Sequence, residues 1–241
     1  MIERISDIGN IRELNEDTYG VLESKYFNLF IICDGMGGHN AGEVASKMAK
    51  DTILASMEND LKEESHIESL VSAIKEANRI IFERSSSEKT MSGMGTTVTT
   101  AVSYDGKLDV AHVGDSSLYI IRDSEIMKIT KDHSYVQELV DSGKIKQNDA
   151  KHHPNKNIIT RAVGTNAEVA VDTFRVETKK DDIFVLCTDG LTDYLSDEEI
   201  LNEVTSHENK RDSIITMADI AKDRGGKDNI TLVIFGGEAL K

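Results

Sequence analysis

Apolar residues along the chain follow two patterns, helical spacing and short continuous runs. Spacings of three and four predict amphipathic helices at residues 41–57 and 64–81. A second pair is predicted near the C-terminus, where Ser196 and Glu199 make a capping box and residues 214–221 repeat the helical spacing. Helices are therefore expected in two pairs, each helix with one buried face.

The continuous apolar runs predict β-strands. Asp105 and Gly106 are a hairpin signal between two of these runs. Strands joined by hairpins, with helices arriving in pairs, favour an α+β fold of antiparallel sheets covered by helices over a doubly wound parallel sheet. The predicted strands cover residues 18–22, 27–33, 96–102, 107–113, 118–122, 125–130, 169–176, 181–187 and 230–235.

Length and composition favour one domain. The chain has 241 residues, 39% of them hydrophobic, and a single proline, and no linker or repeat interrupts the pattern. We expect a single domain spanning residues 1–241. The apolar runs are too short to cross a membrane and the N-terminus lacks a signal-peptide pattern, so no membrane insertion and a cytoplasmic location are expected. Cys33 and Cys187 form neither a disulfide framework nor a zinc-ligand set.

The net charge of the chain argues against some classes of binding partner. The formal net charge is −15, which opposes binding to nucleic acid and to anionic lipid. The excess acid either keeps the protein in solution or supplies a metal site. Composition does not separate these two interpretations, so the positions of the acidic residues matter.

Acidic residues recur beside the ends of apolar runs, often next to glycine. One Asp-Gly pair after a strand is more often a turn than a ligand. Repetition favours a shared site, in which carboxylates without a cation would repel one another. Oxygen ligands select hard cations, so Mg²⁺ or Mn²⁺ is indicated rather than zinc. The sequence leaves open whether the residues converge; they are Asp34, Asp115, Asp189, Asp228 and the pair Glu16 and Asp17.

Short motifs between residues 6 and 231 carry the most specific signal. They cover residues 6–17, 34–39, 95–97, 112–116, 132–134, 159–164, 187–193 and 228–231. Each is weak alone, but in this order they resemble the PPM family of metal-dependent serine/threonine protein phosphatases (type 2C) in its compact bacterial form. The resemblance implies two antiparallel sheets packed as a sandwich, pairs of helices on both sides, and a flap segment at about residues 132–161.

The resemblance also implies a centre of two Mn²⁺ or Mg²⁺ ions. Asp34 matches the carboxylate that bridges the two ions. Asp189 and Asp228 match the carboxylates that complete the shell of one ion, and the backbone carbonyl of Gly35 matches a ligand of the other.

Further acidic residues match supporting positions of the family. Glu16 and Asp17 match residues that hold metal-bound waters. Asp115, together with Asp189, matches the site of a weaker third ion in bacterial members.

The reaction implied by the resemblance is hydrolysis of phosphoserine and phosphothreonine. A hydroxide bridging the two ions would attack phosphorus in line, without a phosphoenzyme intermediate. Arg12 matches the phosphate-binding arginine, whose planar fork holds two oxygens at once. The general acid stays open: Met36 replaces the histidine of many relatives, so His39 and a metal-bound water are the alternatives.

The family resemblance suggests phosphoprotein substrates and an opposing serine/threonine kinase, and we expect a monomer. Two other classes compete with this interpretation: an inactive relative that binds phosphoproteins, and a metal-dependent phosphodiesterase or nuclease. An inactive relative is disfavoured because Arg12 and the aspartates are all present. A nuclease is disfavoured because the chain is acidic. Residues 143–161 are locally basic, which predicts attraction for acidic or multiply phosphorylated segments if the stretch is more than a solvated loop.

Overall fold

The computed structural model describes residues 1–37, 41–58, 65–151 and 153–237. The strands are β1 (Ile2–Asp7), β2 (Asp17–Glu23), β3 (Asn28–Met36), β4 (Gly95–Thr96), β5 (Val98–Tyr104), β6 (Lys107–Val113), β7 (Ser117–Arg122), β8 (Glu125–Lys128), β9 (Asp172–Glu177), β10 (Ile183–Cys187) and β11 (Ile230–Gly236). The helices are α1 (Ala41–Glu58), α2 (Ile67–Ser87), α3 (Tyr135–Asp141), α4 (Gln147–Ala150), α5 (Asp189–Thr192), α6 (Asp197–Ser206) and α7 (Lys210–Asp223), with a short 3-10 helix at Lys89–Met91.

The strands form two antiparallel sheets. One sheet has the order β1-β11-β10-β7-β8, and the other has the order β2-β3-β5-β6-β9, with β4 paired to the end of β3. Asp105 and Gly106 make the expected tight turn between β5 and β6, each with positive φ (39° and 70°). The α+β prediction is confirmed.

Three apolar clusters show the layering. One lies between the β2–β9 sheet and α1 and α2, and a second lies between the β1–β8 sheet and α6 and α7. The third joins the inner faces of the two sheets, where Phe235 stacks on Phe30 and Phe184 with ring centroids 3.8 and 5.1 Å apart. The molecule is thus a sandwich with helices on both outer faces, as the motifs implied.

Burial on both faces explains why β3 and β10 are continuously apolar. In β3, Leu29, Ile31 and Cys33 contact the outer helix layer while Phe30 and Ile32 enter the core between the sheets. The strand β10 alternates in the same way. A strand with no solvent face carries no polar alternation, so its sequence is an apolar run.

The structure corrects several predicted boundaries. The strand β1 and the short helices α3, α4 and α5 were not predicted, and β9 begins at Asp172 rather than at residue 169. The second helix begins at Ile67 rather than at residue 64, which lies outside the described residues. Residues 129–130 lie beyond the end of β8, although the Ile129 N–H still donates to the Leu118 carbonyl of β7 at 2.8 Å. The capping box at Ser196 and Glu199 is present as predicted.

A buried carboxylate fastens the start of α2 to the sheet. Asp109 is fully buried and accepts hydrogen bonds from the Arg175 guanidinium (2.6 and 3.0 Å), the Tyr104 hydroxyl (2.9 Å) and the His66 backbone N–H (2.8 Å). These donors hold the pKa of Asp109 below its usual value despite the loss of solvation. The charge is stable there only while its partners remain.

Replacing Arg175 should therefore be costly. We expect Arg175→Met to lower the free energy of unfolding by about 3 kcal/mol, because it leaves a buried charge without its counter-ion. Urea unfolding followed by circular dichroism measures this. Arg79→Met is the matched control, because its pairs with Glu76 and Glu83 are solvent-exposed and should matter little. Equal effects of the two changes would contradict this account.

Candidate active site

Strand alternation places two aspartates at the end of the core between the sheets. Asp34 follows Cys33 in β3, and its side chain alternates onto the inner face together with Ile32. Asp17 in β2 lies directly opposite Asp34 in the antiparallel register. Opposed residues of neighbouring strands point to the same face, with Cβ atoms about 5 Å apart. Residues 17 positions apart in sequence are thus adjacent in the sheet.

The second sheet brings its own residues to the same end. The Thr188 hydroxyl, which directly follows β10, donates to the Asp17 carboxylate at 2.8 Å. Asp189 comes next and begins α5, and its carboxyl group is near enough to that of Asp34 for the two to interact electrostatically. The predicted convergence of Asp34 and Asp189 is therefore present in the structure.

Asn229 joins the remaining parts of the site. Its side-chain amide accepts from the Glu16 N–H (2.8 Å) and donates to the carbonyls of Ile8 and Leu14 (2.9 and 3.0 Å). A Cβ atom on Gly190 would come within 2.0 Å of the Asn229 backbone carbonyl oxygen. Only glycine therefore fits after Asp189. Sequence reasoning gave Asn229 no role, although its place directly after Asp228 was a usable signal.

Arg12 lies at the rim of the acidic cluster. Its guanidinium donates to the Asp228 carboxylate at 2.8 Å and lies 4.0 Å from Glu16, while 46% of its side chain stays exposed. The hydrogen bond to Asp228 raises the pKa of Arg12. An exposed, charged fork held beside carboxylates can reach a phosphoryl group in solution.

Gly35 and Asp115 also lie at this end. A Cβ on Gly35 would come within 2.2 Å of the Gly42 carbonyl oxygen, which explains the glycine after Asp34. Asp115 lies between β6 and β7, and one of its buried oxygens has no hydrogen-bond partner among the described residues. The charges of Asp189 and Asp132 act on it. Asp132 belongs to the motif at residues 132–134, but sequence reasoning gave it no role at the site.

Crowding changes the acidity of these carboxyl groups. Loss of solvation, followed by the charges of neighbouring aspartates, raises the pKa of Asp34 and of Asp115 well above the usual value. Loss of solvation raises the pKa of Asp17 to about 7, although hydrogen bonds from threonine hydroxyls act to lower it. The pKa of Asp189 also rises to about 7, through desolvation and the charge of Asp228. The aspartates are therefore close enough for the charge of one to raise the pKa of another.

The donor set fits a hard divalent cation. It offers oxygen atoms only, and buried oxygens of Glu16, Asp115 and Asp189 have no hydrogen-bond partner within the described part of the chain. No group of three or more described His, Cys, Asp and Glu side chains is placed so as to hold an ion alone. Backbone oxygens such as that of Gly35, and water, would supply the other ligands. His39, the candidate general acid, lies outside the described residues.

The basic side chains between residues 143 and 161 are either ion-paired or exposed. Lys156 and Arg161 form ion pairs with Asp193 and Asp172. Lys144, Lys146 and Lys151 are exposed. A cavity of about 410 Å³ lies between this segment and the β10–α6 region, with Asp115 and Asp189 in its wall. The segment thus borders the acidic cluster.

A sandwich with an acidic, oxygen-only centre and an arginine at its rim defines the class of cation-dependent phosphate-ester hydrolases. Comparison with known proteins gives the family. The model of the protein phosphatase 2C family matches residues 12–231, so the chain belongs to that family.

Individual relatives agree over nearly the full length. The serine/threonine phosphatase stp of Listeria monocytogenes serotype 4b is 40% identical over 236 residues, which cover 95% of this chain and 92% of that protein. The S. agalactiae serine/threonine phosphatase structure has a TM-score of 0.91 at 36% identity and covers 97% of this chain and 98% of its own. The catalytic domain of PstP, solved in complex with two manganese ions, has a TM-score of 0.87 at 34% identity and covers 100% and 98%.

The raised pKa values give a pH-dependent signature. Asp189 ionises at about pH 7 in the folded chain but near 3.9 when unfolded. Its protonation therefore favours the fold at low pH, and this contribution is lost as pH rises towards 7. In EDTA, we expect the stability of Asp189→Asn relative to wild type to increase between pH 4 and pH 7, as measured by thermal unfolding.

The control for this experiment is Asp123→Asn, whose side chain is 81% exposed. Its stability relative to wild type should stay constant over the same range. Adding Mn²⁺ at pH 7 should raise the melting temperature of wild type more than that of Asp189→Asn. A flat difference for Asp189→Asn would contradict the electrostatic description of the site.

Proposed function

We propose that the chain hydrolyses phosphoserine and phosphothreonine in proteins by direct attack of water on phosphorus. The observation that carries the proposal is the convergence of Asp17, Asp34, Asp189 and Asp228 into one mutually repelling cluster with Arg12 at its rim. This supports a phosphatase centre, because divalent cations relieve that repulsion and the arginine remains available for the substrate.

The carboxylates would hold the cations in the proposed site. In this proposal Asp34 would be shared by both cations, Asp189 and Asp228 would complete the shell of one, the Gly35 carbonyl would bind the other, and Glu16 and Asp17 would hold metal-bound water. The two cations, Mn²⁺ or Mg²⁺, would make water more acidic and neutralise charge on the phosphoryl oxygens. Asp115 with Asp189 is our candidate for a weaker third ion, because an oxygen of each is buried without a partner among the described residues.

Arg12 would hold the substrate by two phosphoryl oxygens. Its guanidinium is already oriented by Asp228, so little conformational freedom is lost when the phosphate arrives. A planar fork that bonds two oxygens fixes the phosphorus relative to the cluster. We expect this to position the ester for in-line attack.

Described side chains offer little support for a covalent intermediate. Cys33 and Cys187 are fully buried, and burial raises the pKa of the Cys187 thiol to about 12, so neither supplies a thiolate near neutral pH. The hydroxyls of Thr97 and Thr188 are engaged in hydrogen bonds with Ser116 and Asp17. We therefore favour direct attack by water, with His39 or water as general acid.

The cellular setting belongs to the same proposal. We infer an opposing serine/threonine kinase, a cytoplasmic location and a monomeric single domain with a flap at about residues 132–161. In the structure, that segment is closed at its base by a bridge between Ser134 and Ile159. No helix among the described residues is long and apolar enough to cross a membrane.

Hydrolysis of a phosphothreonine peptide tests the proposal. With Mn²⁺ we expect turnover that EDTA abolishes, and Asp34→Asn should reduce kcat/KM more than about 100-fold, because it removes a carboxylate from the centre of the cluster. Released phosphate is the measurement, with Asp123→Asn as the exposed Asp-to-Asn control. Turnover that survives both EDTA and Asp34→Asn would exclude this mechanism.

The exposed lysines of the flap allow a separate test. Replacing Lys144, Lys146 and Lys151 together by Glu should raise KM for acidic phosphoproteins several-fold through charge repulsion and leave hydrolysis of a small aryl phosphate unchanged. The matched control replaces Lys47, Lys75 and Lys89, which are exposed on α1, α2 and the 3-10 helix. Equal changes for both substrates would show that the basic stretch does not attract substrate.

A further inference from the structure

Exposed aliphatic side chains lie in the loop that carries the arginine of the site. The loop between β1 and β2 carries Ile8, Ile11 and Leu14, which are 39%, 67% and 38% exposed. Arg12 directly follows Ile11. Single exposed apolar residues are ordinary, but here three of them give apolar surface to the one loop that also carries the phosphate-binding side chain. We call residues 8–14 the Arg12 loop.

The exposure of these side chains does not come from a loose backbone. The Asn229 amide donates to the carbonyls of both Ile8 and Leu14, which closes the two ends of the Arg12 loop onto one side chain. Asn10 adds a backbone hydrogen bond to Gly226 (2.7 Å) and a side-chain hydrogen bond to the Lys222 carbonyl (2.7 Å). Ile11 is therefore presented to solvent from a fixed position.

Asn229 also fixes this surface relative to the acidic cluster. The same side chain accepts from the Glu16 N–H, and the preceding residue, Asp228, holds the Arg12 guanidinium. A substrate whose phosphate is bound by Arg12 must have its polypeptide close to the Arg12 loop. A second copy of the chain seated there would instead cover Arg12.

We propose that the Arg12 loop, through Ile8, Ile11 and Leu14, contacts an aliphatic side chain adjacent to the phosphorylated residue of the substrate. This inference rests on the proposed function and adds a substrate preference to it. Contact would remove apolar surface from water on both partners, and a preformed loop loses little entropy on binding.

Two phosphothreonine peptides that differ only in carrying leucine or serine on both sides of the phosphothreonine test this proposal. With Mn²⁺, wild type should favour the leucine peptide in kcat/KM by about tenfold, mostly through KM, as expected for burial of about one aliphatic side chain. Ile11→Ser should remove most of the preference, and Ile11→Val should keep most of it. Ile215→Ser, which changes a 39% exposed isoleucine on α7, should leave the preference intact.

The possible results distinguish a failure of the contact surface from a failure of the proposed phosphatase function. Equal hydrolysis of the two peptides by wild type, or an unchanged preference in Ile11→Ser, would overturn the contact surface alone. A change of oligomeric state in Ile11→Ser, measured by light scattering, with the preference retained would assign the surface to self-association instead. Failure of wild type to hydrolyse either peptide would overturn the proposed function and the surface with it.

Discussion

Repulsion between buried carboxylates is the constraint on which the rest of the structure depends. Asp17, Asp34 and Asp189 come from two sheets and meet where solvent is scarce, so each makes ionisation of the others harder. Such a cluster would drive the sheets apart unless the surrounding structure resisted it. The apolar core between the sheets and the hydrogen bond from Thr188 to Asp17 supply that resistance. The protein must therefore hold this acidic centre together even when no cation is bound.

The sandwich delivers these residues through simple alternation. In β3, every second side chain enters the core between the sheets, and Asp34 occupies the next inward position after the apolar series ends. In β10, the series Phe184 and Leu186 leads in the same way to Thr188, with Asp189 immediately beyond. The acidic centre is therefore the polar end of the same layer whose aromatic stack lies deeper inside. Fold and site share one periodicity, so a slip of register by one residue would remove both.

Much of the fold could be predicted from sequence, because α1, α2 and the buried strands carry strong local patterns. The strand β1 was missed because its sequence mixes Glu3, Arg4 and Asp7 with isolated apolar residues. The helix α5 was missed because four residues are too few to show a helical period. In the site, strand ends and motif order indicated the acidic residues, whereas the role of Asn229 depends on contacts with residues more than 200 positions away. Such contacts have no local signal.

The closure of residues 132–161 at their base has a consequence for how this segment can change. The Tyr135 N–H bonds to the Ile158 carbonyl at 2.8 Å, so the chain leaves the sandwich and returns to it at neighbouring points. An excursion whose two ends touch can lengthen, shorten or be exchanged without shifting the pairing of the strands on either side. This border of the acidic centre can therefore be varied as an interchangeable cassette, while the alternation that places the aspartates stays unchanged.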